Sequence, residues 1–183
     1  MKKLKNKLLL AVISAYIMVF VIMFVRINIR YKNPTLEQVN IGQVIEVNGY
    51  ELRVNSAGFI DNDILHTEYE EYLGKYEDCK MYSISMSIKK VKEDVEDFSL
   101  SYIEFVSGAY RNATSLELFK YINRDTFKPF KYLEYNDEVT YIFPFRMVKE
   151  NFTDTQWKNI ENNVFELDTF LYPVKKIINL TGN

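Results

Sequence analysis

Few residues of this chain could do chemistry, and their spacing suits catalysis poorly. The one histidine, His66, precedes Glu68, Glu70 and Glu71, and the one cysteine is Cys79. A metal centre wants several convergent ligands, so a single imidazole beside helix-borne glutamates reads as a surface residue. A lone thiol can form neither an intramolecular disulfide nor a thiolate cluster, and reads as a small buried apolar group. Asp61-Asn62-Asp63 opens like a calcium loop but lacks the central glycine and the remaining ligands. Glu93, Asp94, Glu96 and Asp97 form an acidic turn, for which weak divalent-cation binding is the alternative to plain solvation. There is no G-x-S-x-G elbow for a serine nucleophile and no glycine loop to cradle phosphate. A carboxylate pair assembled from two strands is the hydrolytic arrangement that sequence leaves open. These residues predict a non-enzyme with no cofactor and no metal; the alternatives are an envelope enzyme using a carboxylate pair and a weak cation-binding surface domain.

Recognition is better represented. Tyr69, Tyr72 and Tyr76 fall on one face of a short helix predicted to start at Thr67, with Glu70 as its capping partner and Gly74 as its terminator. Tyrosine buries a large area yet keeps a polar tip, which suits a partner surface. The competing reading packs the three rings across the edge of the domain.

The elements that would position these residues divide the chain. Leu8 to Val25 reads LLLAVISAYIMVFVIMFV, without a charge and without a polar stripe, which predicts a transmembrane helix over 8–25. Residues 1–7 carry four lysines, and Arg26, Arg30 and Lys32 follow the apolar run, a bias that favours a cytoplasmic basic tail at 1–7. A cleaved signal peptide is the other reading; the length of the run and the lack of an A-x-A-like site speak for an uncleaved anchor. Residues 26–40 read as a stalk and 41–183 as an extracellular β-sandwich domain. Residues 1–32 hold 7 basic and no acidic residues, so the remainder carries 16 basic against 25 acidic. Such a domain repels phosphate polymers, and no nucleic-acid partner is expected.

The domain reads as mainly β, with one or two short helices. Val44–Val47, Asn48-Gly49 and Tyr50–Val54 spell a hairpin with a type I′ turn that pairs Val47 with Tyr50, Glu46 with Glu51 and Ile45 with Leu52. Tyr82, Ile84, Met86 and Ile88 alternate with Ser83, Ser85, Ser87 and Lys89, and Val139, Tyr141, Phe143, Phe145 and Met147 alternate over a long run. Pro144 marks that run as an edge or a bulge. Further strands are expected at 100–106, 164–171 and 174–180. Thr153 to Gln156 forms a capping box with Phe152 and Trp157 as its hydrophobic staple, and residues 115–123 fit strand or helix. About seven short strands separated by turns indicate an immunoglobulin-like β-sandwich.

Ile41-Gly42-Gln43-Val44 through Asn48-Gly49-Tyr50-Glu51-Leu52-Arg53-Val54 resembles the opening of telokin-like, immunoglobulin-fold domains of unknown function on Gram-positive bacterial surfaces. Tyr141–Phe145, Phe152-Thr153 with Gln156-Trp157, Phe165–Leu167 and Tyr172–Lys175 look like the same group. The resemblance implies a fold and a surface location, and it transfers no catalytic residue. Many relatives would carry a lipid-attached cysteine where this chain has its apolar segment. The expected function is a membrane-anchored, non-catalytic interaction module of the cell surface. Its partners would be the lipid bilayer, through residues 8–25, and an envelope protein. It would be accessory to a transporter or protective against peptide toxins.

Overall fold

The computed structural model describes residues 2–30, 35–73, 78–170 and 173–181. The chain forms two units, Met1–Pro34 and Thr35–Asn183. The first is one helix, α1 (Lys2–Arg30), longer at both ends than the expected 8–25. From Val12 to Val25 its large apolar side chains stand exposed on every side, Tyr16 at 80% and Phe20 at 68%. Among the described residues no helix is long and apolar enough to cross a membrane.

The second unit is a sandwich of two sheets. One has the order β1-β9-β8-β5-β6 and the other β2-β3-β4-β7. The strands are β1 (Thr35–Asn40), β2 (Val44–Val47), β3 (Tyr50–Phe59), β4 (Cys79–Lys90), β5 (Glu104–Ser107), β6 (Tyr110–Ala113), β7 (Glu138–Val148), β8 (Glu166–Phe170) and β9 (Val174–Asn179). The β2–β3 hairpin has the anticipated register, Val47 opposite Tyr50 and Ile45 opposite Leu52. Asn48 and Gly49 both have positive φ, 49° and 83°, as a type I′ turn requires. Gly49 is needed twice over, because a Cβ there would lie 2.5 Å from Val95 Cγ1.

Alternation builds the core. Leu52, Val54, Ile84, Met86, Ile88, Phe143, Phe145 and Met147 are all fully buried on the inner face of the second sheet. They meet Phe105, Leu167 and Ile178 of the first and Phe165 just before β8, with the rings of Phe105 and Phe165 stacked at 5.1 Å. Pro144 lies on β7, which is an edge strand, and its missing N–H costs no ladder bond there. Residues 115–123 resolve as helix α4 (Leu116–Ile122), whose Phe119 packs against Phe143 at 5.0 Å.

Several boundaries differ from the sequence reading. The expected stalk at 26–40 is helical to Arg30 and becomes a strand at Thr35, paired in parallel with β9. β1 is exposed at nearly every position, so it has no inside-outside alternation to read. The expected strand at 100–106 is a 3-10 turn at Leu100–Tyr102 followed by a strand only from Glu104. The capping box at Thr153 forms as read: its Oγ1 accepts from the Gln156 N–H, and Gln156 Oε1 accepts from the Thr153 N–H at 2.9 Å. Phe152 and Trp157 meet at 5.7 Å across the start of α5 (Asp154–Lys158).

Candidate functional site

The tyrosine face begins elsewhere than Thr67. Helix α2 spans Asn62–Glu68, Tyr69 occupies a bend, and α3 spans Glu70–Leu73. The cap is Asp61, whose Oδ1 accepts from the Asp63 N–H at 2.8 Å. Thr67 is interior and its hydroxyl donates back to the Asp63 carbonyl, as helical threonines do. The acid that looked like a calcium ligand is thus a helix cap.

Tyr69 is half-buried and packs edge-on to Tyr121 at 6.2 Å. Both lean on a small second cluster formed by Cys79, Met81 and Leu118, on the outer face of the second sheet. Burial raises the Tyr69 phenol above its usual range, and Glu68 adds to the rise. Tyr72 contributes its backbone to α3, and Tyr76 lies outside the described residues. Cys79 is buried, and that burial pushes its thiol up, away from the reactive thiolate. His66 is exposed on α2. Among the described residues no three His, Cys, Asp or Glu side chains converge as metal ligands.

A cleft of about 550 Å³ opens at the end of the sandwich where the Asn48-Gly49 turn faces the start of β9. Val47, Val95, Phe170, Pro173 and Val174 give it apolar walls, and Glu46, Lys92, Glu96 and Lys176 give it a charged rim. Lys92 pairs with the Glu46 carboxylate, while Lys176 donates to the Glu46 carbonyl and pairs with Glu37 at 3.2 Å. These contacts tie β1 and β9 of one sheet to β2 of the other. Two acids of the acidic turn, Glu93 and Asp94, stand exposed beside this rim without lining it. The cleft had no local signature, since its walls come from three distant stretches. The Asn-Gly turn was the one legible part of it.

The outer face of the first sheet carries a second constellation. Glu104 and Asp168 sit directly opposite each other on β5 and β8, a like-charge pair that would repel. Arg111 resolves the conflict, with its Nη1 at 2.7 Å from Glu104 Oε2 and 3.0 Å from Asp168 Oδ2. Lys175 adds a contact at 3.4 Å. The hydrogen bond to Glu104, then that to Asp168, raises Arg111 above its ordinary range. Asp168 is buried although it alternates with the core, and its Oδ1 has no partner among the described residues.

A family model described as Domain of unknown function (DUF5028) matches residues 34–176. None of the curated protein sequences is detectably similar. Among solved structures, an uncharacterized β-sandwich protein from Clostridium difficile 630 is similar at 11% identity and a TM-score of 0.48, over 82% of this chain and 97% of that one. A candidate lipoprotein from Bacillus subtilis subsp. subtilis str. 168 is similar at 10% identity and a TM-score of 0.46, over 76% of this chain and 38% of that one. A functionally unknown protein from Listeria monocytogenes EGD-e gives 11% identity and a TM-score of 0.45, over 69% and 71%. The family match runs from the start of β1 into β9, and on that extent the chain belongs to the DUF5028 family of domains of unknown function.

Proposed function

We propose that this chain is a membrane-anchored, non-catalytic interaction module, displayed at the outer face of a bacterial envelope. The observation that carries the reading is the exposure of apolar side chains all round α1 between Val12 and Val25. A helix apolar on every side needs an apolar surrounding, and the sandwich completes its own core from residues beyond 35. The uncharged run Leu8–Val25 matches the length of a hydrocarbon core, and the lysines before it favour a cytoplasmic N-terminus. The two-sheet architecture, with connections that cross between the sheets at β4–β5 and β6–β7, supports the immunoglobulin-like part of this reading.

The end cleft supplies the recognition surface in this reading. Its apolar walls inside a charged rim have the anatomy of a protein interface, and the partner is an envelope protein such as a transporter component, or a peptide toxin against which the module protects. Topology is the decisive measurement. Single cysteines at exposed positions such as Glu134 and Thr155, in a Cys79→Ser background, should react with a membrane-impermeant maleimide in intact cells. Reaction only after lysis would place the sandwich inside and overturn the reading.

A further inference from the structure

A second cleft, of about 410 Å³, lies beside the β5–β6 turn, with Tyr110, Arg111, Asn151, Phe152, Gln156 and Asn163 in its lining. We propose that this cleft binds a neutral saccharide. A pyranose presents an apolar C–H face and a rim of hydroxyls, and the cleft offers the complement of each.

Tyr110 and Phe152 supply the aromatic wall, with ring centroids 4.7 Å apart and both residues half-exposed. Three carboxamides surround it. Among the described residues the side chains of Asn151 and Asn163 take no protein partner, and Gln156 spends only its Oε1 on the capping box, leaving its amide N–H groups to donate. Each carboxamide can donate and accept at once, as adjacent hydroxyls require.

The charge pattern selects against an anionic ligand. Among the described residues the only ionic group lining the cleft is Arg111, whose charge is already matched by Glu104 and Asp168. The chain beyond residue 32 carries more acids than bases, which repels polyanions at a distance. The lining is also held in place beforehand. The β5–β6 turn is closed by paired strands, Tyr110 donates its hydroxyl to the Arg146 carbonyl at 3.1 Å, and α5 is fixed by its cap and staple. Little ordering remains to oppose binding. The volume falls within the range of small-molecule sites. The proposal does not depend on the topology of α1.

The chain provides its own reporter, because its single tryptophan, Trp157, packs on Phe152. The full-length protein should be reconstituted in phosphatidylcholine vesicles, since glycoside detergents would compete for the site. Titration with chitotetraose or cellotetraose should then give a saturable change in Trp157 emission. Asn151→Ala combined with Asn163→Ala should weaken binding at least tenfold while leaving the unfolding midpoint nearly unchanged, because both residues line the cleft and neither side chain takes a protein partner among the described residues. Phe152→Ala, which also opens the staple, serves only as a second, more drastic variant. Failure of both oligosaccharides to bind would overturn the proposal, as would equal affinity in the double-amide variant. Saturable binding of poly(glycerol phosphate) in place of both sugars would overturn it too.

Discussion

The two long flanks of the sandwich are closed in different ways. On one, the free edge of β7 is covered by side chains. Asn123 acts as a substitute strand: Ile142 donates its N–H to Asn123 Oδ1, and its carbonyl accepts from Asn123 Nδ2, both at 2.8 Å. The Pro144 carbonyl accepts from the Thr114 hydroxyl at 2.8 Å, and the Arg146 carbonyl from Asn112 Nδ2 at 2.6 Å. On the other flank, β1 has a strand neighbour on one side only, and side-chain amides run along it without covering it, Gln38 to Asn179 and Asn179 to Asn40. The difference follows from composition. β7 is long and aromatic, so an open edge would invite another strand. β1 is short and polar, and can stand uncovered.

Removing the cover of β7 should have the largest effect. Phe119 holds α4 against Phe143 and Tyr141 and is fully buried. Phe119→Ala is expected to cost about 3–5 kcal/mol in denaturant unfolding; a loss under about 1 kcal/mol would show that α4 is an ornament on the sheet. Asn123→Ala keeps the helix but strands the N–H and carbonyl of Ile142. It should cost about 2–3 kcal/mol, with faster hydrogen exchange at the Ile142 amide. Unchanged exchange there would remove Asn123 from its role as a strand substitute. On the other flank, Gln38→Ala should change stability by no more than about 0.5 kcal/mol. A larger loss would mean that β1 is held by its amide row and not by its ladder with β9.

The smallest effect concerns the turn that leads into β7. Lys128 donates to Asp137 and, with the Glu134 N–H, holds that carboxyl below its ordinary value. The same contact raises Lys128. A lowered carboxyl contributes stability that is complete above its unfolded value of about 3.9 and is lost as pH falls through the lowered folded value. A raised ammonium contributes stability that is complete below its unfolded value and is lost as pH rises through the raised folded value. Asp137→Asn should therefore flatten both the acid and the alkaline ends of a stability-against-pH profile. A profile identical to the parent would show the pair to be idle.

The covered flank was the less legible of the two in its details and the more legible in outline. The strands themselves announce their positions, because period-two alternation at 82–88 and 139–147 reports burial on one face. The β2–β3 register was readable because Asn-Gly dictates the turn. Asn123 carried no such signal: it is one residue at the end of a short helix, and its partner is another strand's backbone. β1 was taken for stalk because its partner lies near residue 176, and its exposure leaves no alternation. The start of α2 was misplaced because Thr67 and Glu70 mimic a capping box, while Asp61 makes the real cap. The candidate sites fared alike. Helical spacing put Tyr69 on one face with Tyr72, yet Tyr69 sits in the bend between α2 and α3, and the two clefts are assembled from turns that meet only in the folded sandwich.

The Asn48-Gly49 turn has a consequence for how this sequence can drift. Two independent conditions hold Gly49: a positive φ, and a Val95 side chain pressed where its Cβ would stand. Asparagine or aspartate meets the first condition and fails the second. Substitution at 49 therefore needs position 95 to lose its branches first and the Lys92 Cβ, which would lie 3.1 Å away, to give way. Among relatives, a residue other than glycine at 49 should appear together with alanine or glycine at 95, so that two positions far apart in sequence change in a fixed order.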